Sequence, residues 1–205
     1  SHVKALLNLF EFLRNKIQDH NAVRFAISCH DIIYDTKRSD NEEESAGLAS
    51  ETMAKLHVNL KTINFVRELI LATKNHGGKN LLYDARLFLD MDLAILGASE
   101  EVYKEYSQAI RSEYSWVSES MYRSGRGNVL RSFIERENIY LTDEMKARYE
   151  EQARRNINRE IQLLDAETKT RAFPRGFEVQ VVKNAVFRTS LNNSTSRLHG
   201  RRRGC

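Results

Sequence analysis

Residues 26–46 read AISCHDIIYDTKRSDNEEESA, a stretch that sets a His30-Asp31 pair into an apolar helix and follows it with a dense polar loop. An imidazole and a carboxylate that point into a helical core must be hydrogen-bonded, ion-paired or bound to a cation. The reason is that an unpaired polar group there costs roughly a few kcal/mol. The rest of the chain must therefore supply a partner for this pair.

Apolar residues recur at spacings of three and four along most of the chain, which predicts amphipathic helices. A single proline and nine glycines leave few helix breakers, so an all-α fold is the simplest interpretation. Ser39 and Glu42 have the spacing of a capping box and predict that a helix begins near Asp40. The pattern predicts about seven or eight helices, at roughly 3–17, 22–33, 40–56, 60–73, 81–96, from about 100 onwards, 118–137 and 142–164.

Charge divides the chain into two segments. Residues 166–205 carry nine Lys/Arg and two Asp/Glu, whereas residues 1–165 carry 23 and 26, so the formal net charge of +4 comes from the second segment. A helical domain with that balance has no basic field to recruit nucleic acid, which disfavours nucleic acid as a partner. We expect one domain over residues 1–165 and a basic, largely irregular tail over 166–205, with a strand at 177–182 only if it finds a partner.

Cysteine usage and hydropathy bear on location. Cys29 and Cys205 have the spacing of neither a disulfide framework nor a zinc knuckle, which favours a reducing compartment. No apolar run approaches the roughly 18 to 20 residues that cross a bilayer. The start of the sequence also lacks the features of a secretory signal. We expect a soluble cytoplasmic protein with no membrane partner, and the sequence does not define its oligomeric state.

Four blocks of sequence resemble one known family. They are HDIIYD at 30–35, SDNEEESA at 39–46, TKNH at 73–76 and DMDLAILG at 90–97. These blocks resemble the HDxxYD, DNExxSA, TxxH and DxDLxILG motifs of a predicted metal-dependent phosphohydrolase family in the HD superfamily. The resemblance spans about residues 1–165 and implies an HD-domain-like helical bundle.

The resemblance also implies a metal site. The HD pattern runs His, then His-Asp, then a distant Asp, and these positions fall on His2, His30, Asp31 and Asp92. Two imidazoles and two carboxylates suit Mn²⁺, Fe²⁺, Co²⁺, Mg²⁺ or Zn²⁺ and leave coordination positions for water and a phosphate oxygen. Spacing alone does not bring these residues together, so the ligand set rests on the resemblance.

Two further residues are candidates for the same site. Asp90 competes with Asp92 for the last ligand position, because helix neighbours two apart point to different faces, and we favour Asp92. The other carboxylate would then hold a histidine or a phosphate-binding base. His76 occupies the place where two-metal HD proteins put an extra imidazole, which makes it a candidate for a second metal or for substrate. A solvated loop histidine is the alternative.

Candidate catalytic and substrate-binding residues flank the metal site. Asp35 and Glu42 are the candidate general bases, because hydrolytic HD enzymes commonly place an acid just beyond the HD pair. For Glu42, a capping-box role at the start of a helix is an equally good interpretation. Arg38 and Lys74 are candidates for binding phosphate oxygens, and solvated side chains are the alternative for both.

The chain differs from the family at its start. The family carries an earlier helix and a Tyr-His-Asn segment ahead of the first histidine. This chain begins one residue before His2. We therefore expect a truncated N-terminus that leaves this ligand on a fraying helix end.

Two functions remain open from the sequence. The motifs favour a phosphohydrolase that cleaves a small phosphate monoester or nucleotide by a metal-activated water. The start of the chain favours the alternative, a catalytically silent HD-fold protein that binds a nucleotide or a protein partner. A nucleic-acid binder that acts through its basic tail is a third interpretation, and we rank it last.

Overall fold

The computed structural model describes residues 2–77 and 80–168, which form an all-α bundle as the sequence predicts. Within these residues there are eight α-helices, two 3-10 turns at Arg14–Lys16 and Leu93–Gly97, and no strand. The helices are α1 His2–Phe12, α2 His20–Cys29, α3 Asn41–Lys55, α4 Leu60–Ala72, α5 Tyr83–Asp92, α6 Glu100–Glu113, α7 Glu119–Ile134 and α8 Asp143–Thr168. The predicted strand at 177–182 and most of the predicted tail lie outside the described residues.

Four of the described helices begin at a residue whose side chain accepts a hydrogen bond from the backbone N–H three positions later. These residues are Asp19, Asn59, Ser99 and Ser118. Each side chain satisfies an N–H that has no partner within its helix, which fixes where the helix begins.

The capping box predicted at Ser39 is wrong. The N-cap of α3 is Asp40, whose side chain makes no capping hydrogen bond. The Asp40 carboxylate instead accepts from Arg38, through Nε at 2.8 Å and Nη2 at 2.9 Å. The helix begins where predicted, but the side chain at its N-cap position, Asp40, binds Arg38 and not the backbone N–H groups of the helix.

The predicted second helix ends earlier than its apolar pattern suggests. Helix α2 ends at Cys29, and His30 is its C-cap, with a backbone N–H that donates to Ala26 O. The chain then turns towards α3, where Ser45 Oγ accepts from Ile33 N at 3.1 Å. The His30-Asp31 pair therefore lies at a helix end rather than inside a helix, which frees both side chains to reach other elements.

One apolar core joins all eight helices of the described chain. Helix α4 packs on α2 and α3, and α8 packs on α7 and on the Leu93–Gly97 turn. Among the aromatic residues of α6 and the turn after it, Tyr103, Tyr106 and Tyr114 are buried in this core, whereas Trp116 is 44% exposed. None of the described helices combines the length and the apolarity needed to cross a membrane.

Gly97 marks the closest approach between two elements of the core. A Cβ atom built on Gly97 would lie 2.6 Å from Tyr149 Cβ and 2.7 Å from Tyr149 O, on α8. Backbone and Cβ atoms cannot move aside as a flexible side chain can. Only glycine therefore lets the turn after α5 dock on α8.

We predict that Gly97→Ala lowers the free energy of unfolding by about 1–3 kcal/mol, because overpacking forces α8 away from the turn. The matched control is Gly47→Ala in α3, where a Cβ meets nothing within 4 Å. That change should instead stabilise the protein by roughly 0.5–1 kcal/mol through helix propensity. Urea unfolding of both variants checks this, and equal effects at the two positions would contradict the docking role of Gly97.

Candidate metal centre

Five side chains from four separate segments meet at one end of the core. His2 comes from the start of α1, His30 and Asp31 from the end of α2, His76 from the turn after α4, and Asp92 from the last residue of α5. We call these five residues the His-Asp cluster. The structure thus brings together His2, His30, Asp31 and Asp92, which the resemblance groups, and adds His76.

Asp92 is the centre of the cluster. Its Oδ1 accepts from His2 Nε2 at 2.8 Å and lies 3.4 Å from His30 Nε2, while its Oδ2 accepts from His76 Nε2 at 2.7 Å. Asp92 is only 2% exposed. Burial acts to raise the pKa of this carboxyl, but His30, His2 and His76 hold the pKa well below its usual value. Asp92 is therefore a buried carboxylate stabilised by three imidazoles.

A backbone hydrogen bond to Nδ1 fixes the ring orientation of His30. Its Nδ1 lies 3.1 Å from Ile27 O, and because a carbonyl only accepts, Nδ1 carries a proton. The other ring nitrogen, Nε2, lies 3.2 Å from His2 Nε2 and 3.4 Å from Asp31 Oδ2. A histidine held in this way by a backbone carbonyl is the usual arrangement of a metal ligand.

Nitrogen and oxygen atoms that could bind a metal converge around His30. Its Nε2 lies 3.4 Å from both Asp31 Oδ2 and Asp92 Oδ1 and 3.2 Å from His2 Nε2. Ligand atoms of His2, His30 and Asp31 all lie within 4.8 Å of one another, which is a span that one metal ion can bridge. The donor set is mixed nitrogen and oxygen, and it fits a divalent transition metal.

His76 is a buried residue, so the alternative of a solvated loop histidine is wrong. Its backbone adopts a φ of 44°, which is rare for a residue with a side chain. Burial lowers the pKa of its imidazole, whereas the hydrogen bond and charge of Asp92 raise it. The effect of burial is the larger one, so the neutral ring is favoured. A neutral buried imidazole beside a carboxylate can hold a metal or orient a ligand that does.

Asp90 does not join the cluster. Its Oδ1 accepts from Leu141 N and its Oδ2 from Thr142 N, both at 2.7 Å, and Oδ2 also accepts from Thr142 Oγ1 at 2.6 Å. Burial raises the pKa of Asp90 to about 6 against these donors. The carboxylate holds the chain that leads into α8, so it serves neither as a metal ligand nor as a partner of a histidine.

The two candidate bases lie in different surroundings. The Asp35 side chain is exposed, and its Oδ1 accepts from Lys37 N at 2.9 Å, which closes a local turn. Glu42 is buried, at 6% exposure, in the first turn of α3. The neighbouring Asn41 links that turn to the loop that follows His30-Asp31, because its Oδ1 accepts from Asp35 N at 3.0 Å.

The two candidate phosphate-binding cations are engaged in ion pairs with acidic residues. Arg38 binds Asp40 through two nitrogens, and Lys74 pairs with Glu43 and donates to Ser39 O at 2.9 Å. Arg38 and Lys74 therefore stabilise the loop ahead of α3. A phosphate group would have to replace these acids to bind either cation.

Sequence reasoning missed Phe88 and Arg136. Phe88 packs its ring edge-to-face against His30, with ring centroids 5.8 Å apart. Arg136 donates to His76 O at 2.9 Å and to Asn75 O at 3.3 Å. Both contacts join residues about 60 apart in the sequence, and no local spacing signals such a contact.

Comparison of the chain with protein-family models, with curated proteins and with solved structures finds no match.

We predict that Asp90→Asn lowers the free energy of unfolding by about 1–3 kcal/mol, because an amide NH₂ cannot accept the hydrogen bonds from Leu141 and Thr142. The control is Asp143→Asn, in the first turn of α8, whose side chain is fully solvated. The free energy of unfolding of this variant should fall by only about 0.3 kcal/mol, since it loses an exposed ion pair with Lys146 and a helix-dipole interaction. Chemical denaturation distinguishes the two, and an Asp90→Asn variant as stable as the parent would contradict the anchoring role.

Proposed function

We propose that this chain is a metal-dependent phosphohydrolase of the HD type that hydrolyses a small phosphate monoester or nucleotide. The observation that carries the proposal is the His-Asp cluster, in which His2 Nε2, His30 Nε2 and the carboxylates of Asp31 and Asp92 meet. The order of its residues, with His2, His30-Asp31 and Asp92 on different helices, also supports the proposal.

The proposed ligands are His2 Nε2, His30 Nε2, Asp31 Oδ2 and Asp92 Oδ1, with His76 on the other oxygen of Asp92. A divalent metal bound there would polarise a phosphoryl oxygen and lower the pKa of a coordinated water. Asp92 would keep the third imidazole, His76, oriented through its Oδ2. Because ligand atoms must be deprotonated, the metal would take the place of the proton between His2 and Asp92.

Glu42 is the proposed general base. It is buried in the first turn of α3, directly after the loop that follows the HD pair, whereas the Asp35 carboxylate is exposed and closes its own turn. Glu42 would accept the proton of the water that attacks phosphorus, and the bond from phosphorus to the leaving oxygen breaks in the same displacement. Asp35 would hold the loop in place.

We predict that the purified chain, stripped with a chelator and reloaded with Mn²⁺, retains about one or two equivalents of metal and that Asp31→Ala loses them. The control is Asp165→Ala, which removes an exposed carboxylate that pairs with Arg131 and should leave the metal content unchanged. Elemental analysis of the three proteins provides the measurement. A wild-type chain that binds no metal would overturn the phosphohydrolase proposal and leave the silent, ligand-binding HD-fold protein as the better account.

We predict that Glu42→Gln lowers kcat for a generic phosphate ester by about 10²–10⁴-fold at unchanged metal content, because the amide cannot accept a proton. Glu43→Gln is the matched control, since its side chain lies on the surface and pairs with Lys74. It should change kcat by less than about twofold. Steady-state kinetics with Mn²⁺ checks both. Equal activity of Glu42→Gln and wild type would show that Glu42 does not accept the proton of the attacking water.

A further inference from the structure

The turn after α4 holds His76 in a left-handed conformation. His76 follows the end of α4, where its N–H donates to Ala72 O at 3.1 Å, and Gly77 follows it. Its φ of 44° lies in the left-handed region, which costs a residue with a side chain about 1–2 kcal/mol. Contacts that hold this backbone conformation also hold the His76 ring against Asp92, because the ring follows the backbone of the turn.

Arg136 supplies such a contact from the segment between α7 and α8. Its Nη1 donates to His76 O at 2.9 Å and its Nη2 to Asn75 O at 3.3 Å, so one guanidinium holds two consecutive carbonyls. The same guanidinium lies over the Phe133 ring, 4.3 Å from the ring centroid. Its orientation is therefore fixed by a flat apolar surface as well as by the two carbonyls.

The position of Arg136 is itself set by α8. Arg154 Nη2 donates to Arg136 O at 2.9 Å and also to Glu137 O at 2.9 Å. Glu150 holds Arg154 through Nε at 2.8 Å and also accepts from Ile139 N at 3.0 Å. A continuous series of hydrogen bonds thus runs from α8 to the carbonyl of His76.

We propose that Arg136 is the positioning residue of the centre, which holds His76 in its left-handed conformation so that Nε2 meets Asp92 Oδ2. Arg136 contacts only the backbone of the turn and acts through His76. The inference deepens the proposed function, on which its kinetic readout rests. A second readout, the state of the His76 ring, is independent of any metal.

The first test uses NMR of the ring nitrogens in the metal-free protein, with His76 assigned through His76→Gln. We expect wild type to show a single His76 tautomer protonated at Nε2, as its bond to Asp92 requires, and Arg136→Met to lose that signal by exchange. The control is Arg131→Met near the end of α7, five residues before Arg136, which removes an exposed ion pair with Asp165 and should leave the signal unchanged. A wild-type His76 signal in Arg136→Met would overturn the proposal.

The second test is a double-mutant cycle in Mn²⁺-dependent hydrolysis. Arg136→Met should lower kcat by about 10–100-fold in wild type, because it displaces His76, the outer partner of the proposed ligand Asp92. In a His76→Gln background it should add less than about twofold, because the residue it positions is gone. The same loss in both backgrounds would show a general structural effect and overturn the proposal.

Two further outcomes must be distinguished from a loss of positioning: an Arg136→Met variant that does not fold, and a wild-type protein that shows no activity. If Arg136→Met does not fold, Arg136→Lys decides, because one ammonium cannot present the two-pronged donor of a guanidinium and the His76 signal must change. A wild-type signal in that variant would overturn the positioning role. If wild type shows neither metal nor hydrolysis, the proposed function fails, and the ring-nitrogen result alone then confirms or overturns the role of Arg136.

Discussion

The shared carboxylate of Asp92 is the interaction on which the arrangement of the site depends. A buried carboxylate is stable only if charges and donors surround it, and here His2, His30 and His76 do so from three different segments. Each of these segments must therefore end or begin at the same point of the bundle. The early end of α2 at Cys29 and the left-handed turn at His76 are local departures from regular helix that this meeting requires.

Helix α5 carries three carboxylates that have three different roles. Asp84 accepts from Gln18 N and Asp19 N and so fixes the start of α2, while Asp90 fixes the segment ahead of α8. Asp92 alone faces the imidazoles. Because both anchors lie on the helix that carries Asp92, the position of that carboxylate is coupled to the ends of its neighbours. The α7–α8 segment also contacts both the helix that carries Asp92, through Asp90, and the turn that carries His76, through Arg136.

The all-α class and most helix starts could be predicted from the sequence, because periodicity and capping residues such as Asn59 and Ser99 act over three or four positions. The capping box at Ser39 failed because the N-cap of α3 is the next residue, Asp40. The choice of Asp92 over Asp90 was predictable from resemblance alone, since both lie on one helix and only tertiary contacts separate them. Arg136 was not predictable, because its partners lie about 60 residues away and it binds backbone carbonyls, which leave no side-chain signature.

The central claim is that the His-Asp cluster is a metal centre rather than a set of imidazoles sharing a proton. X-ray absorption spectroscopy of the Mn²⁺-loaded chain tests this most directly, because scattering from imidazole rings identifies histidine ligands. The account predicts a mixed nitrogen and oxygen shell with about two imidazoles, from His2 and His30. A shell of oxygen alone, with no imidazole scattering, would contradict it.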